Sequence, residues 1–153
     1  MGTYNLTKGD AAVSCMDFGR FFCVKIPIVV TDIIAANATL TTNEKITASD
    51  VIALWDIPAG TVLLVSMASF LIVTPGTASN TANIGIAGST EMFSGTALDS
   101  AANTLTQIAH NASWGTDNYG AYTFAATDTI DMVFVADEVI GEFALYIPGY
   151  ITG

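Results

Sequence analysis

The sequence predicts an all-β fold, an antiparallel β-sandwich or jelly-roll-like single domain with an extended N-terminal arm. Segments rich in aromatic and β-branched residues alternate with turn signals about every 8–12 residues, and almost no long helical period occurs. The stretch Ile57–Gly88 carries no charge, and Pro75 and Gly76 separate its apolar runs, Thr61–Thr74 and Ala82–Ala87. Their β-branched content favours two antiparallel strands over a helix. We expect the sheet core to be centred there.

The first part of the chain divides into an arm and a strand. Residues 1–19 are rich in Gly, Asp and Ser and lack a regular period, which predicts an extended arm with at most a short strand, reaching onto a neighbouring subunit. Residues 20–153 form the predicted sandwich domain. Its first strand is Arg20–Thr31, and Pro27 is expected at an edge or a bulge because proline donates no ladder hydrogen bond.

Residues 32–58 are predicted to hold short elements. Asp32–Ala38 is expected to form a turn or a short helix, and Thr39–Ile46 a minor strand. Ser49 or Asp50 can cap a single helical turn that Pro58 stops. In such a turn three apolar side chains share one face toward the core: Val51, Leu54 and Trp55.

The C-terminal half begins with the most loop-like stretch, residues 89–118, with a brief strand over Leu105–Ile108. Three strands follow, over Gly120–Ala125, Thr129–Ala136 and Gly141–Ile151. The alternation is clearest in the second, which predicts that Ile130, Met132 and Phe134 face one side and Asp131, Val133 and Val135 the other. Asp137 and Glu138 mark the turn into the final strand.

Composition predicts an assembled protein. Of the 153 residues 52% are hydrophobic and 12% are charged, whereas an ordinary soluble domain has about 25% charged residues. Because subunit interfaces are depleted in charge at their centres, this shortage favours an obligate homo-oligomer. The alternative is an ordinary β domain whose surface is covered by Thr and Ser.

Charge and hydropathy disfavour two classes of partner. The net charge is −10, and the four basic residues all lie in the first third of the chain, so phosphate backbones and anionic membrane surfaces are repelled. The polar N-terminus does not resemble a secretory signal. The 16 residues between Pro58 and Pro75 are fewer than the roughly 20 that a membrane helix needs. We expect no nucleic-acid partner and no membrane association.

No motif in the sequence predicts catalysis. His110 is the single histidine, no nucleophile elbow, P-loop or dinucleotide fingerprint occurs, and we expect no cofactor and no enzymatic activity. Cys15 and Cys23 lack zinc-site spacing and are expected to be reduced thiols. Solubilising charge is the simplest interpretation of a group of carboxylates, with a glycosidase pair among them as the alternative: Asp128, Asp131, Asp137, Glu138 and Glu142. A calcium ion held by Asp137, Glu138 and backbone carbonyls is a second alternative. A sugar-stacking platform is the alternative to packing for Trp55, Trp114, Tyr119 and Tyr122.

Three segments resemble small virion proteins of tailed bacteriophages: SDVIALWDIPAGTVLL, TANIGIAGSTEMFSGTALD and YGAYTFAATDTIDMVFVADEVIGEFALYIPGYI. The resemblance is a pattern of β turns over Ser49–Tyr150, and the N-terminal third has no counterpart. The segment Ile84–Gly88 departs from the pattern, which has acidic residues there.

The resemblance implies a non-enzymatic capsid decoration (cement) protein or a head-fibre base. Such a protein is made in the host cytoplasm, binds the major capsid protein on the outer face of the shell, and commonly forms a trimer. A tail, neck or baseplate subunit and a carbohydrate-binding jelly-roll module are the alternatives. The interface is expected to involve the arm and three loop anchors: Tyr4, Leu6, Asp17, Phe18, Arg20, Met92, Phe93 and Trp114.

Overall fold

The computed structural model describes residues 3–5, 21–86, 92–107 and 120–151. In this part of the protein, two β-sheets pack face to face. The predicted all-β sandwich is confirmed. Sheet A has the strand order β1-β3-β10-β6-β7. Its strands are β1 (Thr3–Asn5), β3 (Val51–Ile57), β6 (Thr81–Ile86), β7 (Phe93–Ala97) and β10 (Asp128–Phe134). The β1–β3 pair is parallel, and the other pairs are antiparallel.

Sheet B is built around the ten-residue strand β11 (Glu142–Ile151). One edge of β11 pairs along its length with β2 (Phe21–Val29), and the other edge pairs with β5 (Ser69–Thr74) and then with β4 (Thr61–Leu63). Two short strands complete the sheet, β8 (Leu105–Gln107) beside β5 and β9 (Tyr122–Thr123) beside β4.

The single long strand predicted over Thr61–Thr74 is interrupted. One turn of 3-10 helix, Val65–Met67, separates β4 from β5, although both follow the same edge of β11. Pro148 lies opposite this break and has no N–H to donate, while its carbonyl accepts a hydrogen bond from the Leu64 N–H at 2.8 Å. The ladder is therefore locally replaced by the helical turn.

The two central apolar runs are strands, as predicted, but they do not pair with each other. Pro75 and Gly76 end β5 in sheet B, and the chain crosses to sheet A before β6 begins. The turn after β10 crosses in the opposite direction to β11. The breakers thus mark connections between sheets rather than a hairpin within one sheet.

Two short helices lie between β2 and β3: α1 (Val30–Ala36) and α2 (Ala38–Asn43). The first agrees with the predicted helical piece. The minor strand expected over Thr39–Ile46 is wrong, because helix α2 occupies most of this segment. Leu40 is the buried residue of α2, and the residues on either side of it are exposed. The Thr41 hydroxyl links the two helices, because it lies within hydrogen-bond distance of the carbonyls of Ile34 (2.7 Å) and Asn37 (3.0 Å) as a donor.

The helical turn predicted after Asp50 is also wrong, because Val51–Ile57 is strand β3. Asp50 acts instead on the preceding loop, where its carboxylate accepts hydrogen bonds from the backbone N–H and the hydroxyl of Thr47. The four residues from Val51 to Leu54 are all buried. A strand covered on both faces has no visible alternation, so the spacing of its apolar residues resembles a helical period.

The core is one apolar cluster between the sheets. Phe70 of β5 stacks on Phe143 of β11 with ring centroids 5.5 Å apart, and it reaches across to Phe93 of sheet A at 6.0 Å. The predicted faces of β10 are confirmed, since Ile130, Met132 and Phe134 are fully buried and Val135 is 56% exposed. Each fully buried side chain of this size contributes about 1.5–3 kcal/mol relative to an exposed one.

Candidate interaction surfaces

Two of the predicted interface residues lie in the core. Met92 is 1% exposed and Phe93 4% exposed, so the expectation that their segment stays outside the core is wrong. Phe93 opens strand β7, which pairs with β6. Gly95, with φ of +61°, and a register shift in this pair break the period of β7, so the sequence pattern resembled a loop.

Of the other six predicted interface residues, the structure describes the backbone of one. Tyr4 lies in β1, where its backbone is in register with Ile52 of β3. Within the arm, therefore, residues 3–5 add a strand to this chain's own sheet. The other five predicted contacts lie outside the described residues: Leu6, Asp17, Phe18, Arg20 and Trp114.

The carboxylates proposed as a glycosidase pair are not brought together. Asp131 lies on β10 of sheet A, on the face opposite the buried Met132, and Glu142 lies on β11 of sheet B, opposite the buried Phe143. The two side chains therefore point to opposite outer faces of the sandwich. A pair acting on one glycosidic bond needs its carboxyl groups within about 10 Å of each other, so this assignment is dropped.

Glu138 is a buried carboxylate held by hydrogen bonds from the loop between β5 and β6. It is fully buried, and its carboxylate accepts hydrogen bonds from the backbone N–H (2.8 Å) and the hydroxyl of Thr77, and from the Asn80 side-chain amide (2.9 Å). Within the described residues it forms no ion pair. Its backbone exchanges two hydrogen bonds of 2.9 Å with Ile46. Glu138 thus joins three loops at one end of the sandwich.

Asp137, the neighbouring carboxylate, is exposed and paired. Its Oδ2 is 2.6 Å from Lys45 Nζ, and its Oδ1 accepts a hydrogen bond from the Ala48 N–H at 3.0 Å. The hydrogen bond from Lys45, and then that from the Ala48 backbone, hold the pKa of Asp137 below its ordinary value of 3.8. In the described part of the chain no three His, Cys, Asp or Glu side chains converge as metal ligands.

Two of the aromatic residues considered for sugar stacking, Trp55 and Tyr122, pack against other aromatic side chains. Trp55 packs edge-on against Phe22 with centroids 5.9 Å apart, and Tyr122 packs edge-on against Phe124 at 4.8 Å. Both are half-buried side chains packed on the core. Trp114 and Tyr119 lie outside the described residues. Trp55 and Tyr122 therefore contribute to packing rather than to a shared platform.

The outer face of sheet B is an open surface that the sequence did not single out. Alternate residues of β2 and β11 are buried, such as Ile26 and Leu145, and the residues between them face outward. Strand register sorts these outward residues into parallel rows. Three adjacent rows cross three or four strands, and two further rows, with Cys23 beside Pro148 and Phe21 beside Tyr150, continue the face along β2 and β11. Of the three, the central row is Pro27, Ala144, Leu71 and Leu105. The rows on either side are Lys25, Tyr146, Ser69 and Gln107, and then Val29, Glu142 and Thr74.

This surface, which we call the sheet B face, carries little charge. Lys25 and Glu142 are the charged residues in its three rows, and Leu105 at its edge is 53% exposed. The outer face of sheet A differs, because Val51, Ala53 and Asp131 are no more than 9% exposed. The alternation of β2 could have revealed the sheet B face, but sequence alone could not align its four strands.

A second apolar area lies at the end of the sandwich that carries Glu138. Val135, Val139 and Ile140 are between 41% and 56% exposed there. Val139 also lines a shallow depression beside the helices with Thr31, Ile34, Ala35, Thr41 and Glu44. Within the described ranges, no helix is long and apolar enough to cross a membrane.

Comparison with solved structures finds the same fold over nearly the whole chain. A chain of the capsid of Ralstonia phage GP4 superposes with a TM-score of 0.61 at 12% identity, covering 99% of each chain. A chain of the cyanophage Pam1 capsid asymmetric unit gives 0.56 at 14% identity and 95% of each chain. A chain of an acidic stable capsid structure of Helicobacter pylori bacteriophage KHP30 gives 0.53 at 13% identity, covering 88% of this chain and 90% of that one.

The sequence comparisons add no family. No protein-family profile matches the chain. No curated protein matches it in sequence. At identities of 12% to 14%, the likeness to the three solved structures is a likeness of fold.

Proposed function

We propose that this protein is a non-enzymatic structural component of a bacteriophage virion, and specifically a decoration protein on the outer face of the capsid. The observation that carries the proposal is the full-length likeness of fold to chains of three phage capsids, which covers 88% to 99% of this chain. Because the matched chains are themselves covered almost completely, they share the size of this chain as well as its fold.

The surface properties support a shell partner rather than a small substrate. The chain has few charged residues for its size. Apolar side chains are exposed on the sheet B face and at the end of the sandwich that carries Glu138. Such surfaces are suited to broad protein contacts. The net charge of −10 favours the outside of a particle, where the protein is not held against packaged DNA.

The proposed mechanism is bridging. A decoration subunit that contacts two neighbouring capsomers adds interface area, which must be broken before the shell can swell or burst. Three copies acting as a trimer would contact several capsomers at once, so the separate contacts would reinforce each other. In this proposal the arm, residues 1–19, contacts a neighbouring subunit, while its strand β1 stays in this chain's own sheet. The contacts assigned to the arm and one loop are Tyr4, Leu6, Asp17, Phe18, Arg20 and Trp114.

Particle assembly with and without this chain tests the proposal. Shells assembled from the major capsid protein alone should gain the purified chain at stoichiometric copy number on their outer surface, visible by electron microscopy. Decorated shells should resist heat and low ionic strength better than bare shells. Unexpanded shells are the matched control, because capsomer spacing changes on maturation and the binding surface is then incomplete.

Two results would contradict the proposal. Failure of expanded shells to bind the chain would remove the decoration role, and location of the chain in the tail, neck or baseplate of intact particles would replace it. Equal binding to expanded and unexpanded shells would contradict only the dependence on maturation.

A further inference from the structure

We infer that the sheet B face binds a second copy of this chain in a two-fold symmetric contact. This inference concerns the free protein and does not depend on the proposed place in a virion. The sheet B face is a β surface about four strands wide, at roughly 4.8 Å per strand. Its central row is entirely apolar and, at Leu105, strongly exposed.

Charge decides which partner fits. Each copy of the chain carries a net charge of −10, so two copies repel each other wherever their acidic surfaces meet. The sheet B face has one cation, Lys25, and one anion, Glu142, in its three rows. Its own charge is therefore balanced, which makes it a surface through which two acidic copies can approach.

The positions of these two charges are self-complementary. Lys25 is in register with Tyr146, and Glu142 lies four residues before Tyr146 on β11. The two charges are therefore about 13 Å apart along the strands. The row midway between them is the apolar one that contains Pro27 and Ala144.

One symmetry axis relates the three rows to one another. A two-fold axis that lies between two sheet B faces, perpendicular to the strands and over the central row, reverses the strand direction in the second copy. Lys25 of each copy then lies above Glu142 of the other, displaced sideways by about one strand spacing. Two sheets in contact are about 10 Å apart, a distance that a lysine and a glutamate side chain can span together.

The same axis places the apolar row against itself. Pro27, Leu71 and Leu105 of one copy meet the equivalent residues of the other, while Ala144 between them is small and fully buried by its neighbours. A closed two-fold contact uses the same patch on both subunits, as this geometry requires. If a three-fold contact exists elsewhere on the subunit, the free protein contains six chains rather than three.

Charge reversal at the two positions tests the inference on the purified full-length chain, with mass measured by light scattering. The wild type should contain two or six chains. Lys25→Glu should place two carboxylates opposite each other at both ends of the contact, and Glu142→Lys should place two ammonium groups there. Each single variant should weaken the contact about tenfold or more, so that the mass falls to one or three chains.

Mixing the two charge-reversed proteins is the decisive test. When Lys25→Glu and Glu142→Lys proteins are combined, a mixed pair has opposite charges at both ends and should regain the wild-type mass. The double variant K25E/E142K should regain it by itself. This recovery requires that the two positions meet in different copies, so a contact with any other protein or through any other surface cannot produce it.

A matched pair of apolar variants controls for added charge. Leu105→Asp should dissociate the contact, whereas Val135→Asp, at a position with similar exposure beyond β10, should not. Far-ultraviolet circular dichroism of every variant shows whether the sheets are retained. A wild-type mass of one or three chains would overturn the inference, as would single variants of unchanged mass or a mixture that fails to recover. Shell binding is measured separately, so loss of the decoration role leaves this result intact.

Discussion

Asn80 and Glu138 join the two connections that cross between the sheets. The Asn80 amide donates to Glu138 Oε2 at 2.9 Å, and both residues are buried. Asn80 follows the crossing from β5, and Glu138 belongs to the crossing from β10. The Asn80 side chain also donates to the Ala136 carbonyl and accepts from the Ala136 N–H. This end of the sandwich is therefore held by side chains that replace a backbone ladder.

Glu138→Gln should lower the free energy of unfolding by about 1–3 kcal/mol. The substitution replaces one carboxylate oxygen with an amide NH2, which would face a donor of either Thr77 or Asn80. Urea unfolding at neutral pH measures the loss. Asp99→Asn is the matched control, because Asp99 accepts a hydrogen bond from the Ser79 N–H but is exposed. An equal loss in both variants would contradict the role given to burial.

Phe93→Ala should lower the free energy of unfolding by about 3–5 kcal/mol, the usual cost of truncating a buried aromatic side chain. Phe93 is 4% exposed and its ring lies 6.0 Å from that of Phe70. Because this loss arises within one subunit, it should be the same at low and high protein concentration. Phe21→Ala, at a position 59% exposed, should change the free energy by about 0.5 kcal/mol or less.

The ion pair between Asp137 and Lys45 predicts a pH dependence of stability. The folded pKa of Asp137 lies below 3.8, so the carboxylate adds stability above that value and loses its contribution as the pH falls through the folded pKa. Asp137→Asn should therefore be less stable than the wild type at neutral pH, and the two should converge in acid. The urea midpoints measure both. Added salt should reduce the difference because the pair is exposed. A difference that persists in strong acid would contradict this origin.

Pro27→Val should promote aggregation without weakening the sheet. The Val30 N–H donates to the Gly141 carbonyl, so odd-numbered residues of β11 point their backbone groups toward β2. Pro27 pairs with Ala144, and its nitrogen therefore faces away from β11, where no described strand pairs with β2. A valine would present a new donor at that edge.

Thioflavin fluorescence measures this effect, and Pro58→Val is the control, since it makes the same substitution in an exposed turn. The Pro27 variant should aggregate faster than both the control and the wild type. A marked drop in its unfolding free energy relative to the control would mean that Pro27 supports the ladder, contrary to its geometry.

The sequence by itself determined the strands whose side chains alternate visibly between the two faces of a sheet. Strand β10 is the clearest case, because Met132 is buried while its neighbours in sequence face the other side. Aromatic and β-branched content correctly predicted most of β2, and the turn at Asp137 and Glu138 correctly placed the start of β11. These features are local, since a two-residue period follows directly from the geometry of an extended chain.

The tertiary structure decided which strands pair and which surfaces remain open. Strand β3 is covered on both faces, so its sequence predicts a helical turn instead. Gly95 interrupts the side-chain period of β7, so its sequence predicts a loop. The crossings after Pro75 and after Phe134, and the alignment of Lys25, Glu142 and Leu105 on one face, depend on contacts between residues far apart in the chain. A local pattern records the side a residue faces, but not the strand that lies beside it.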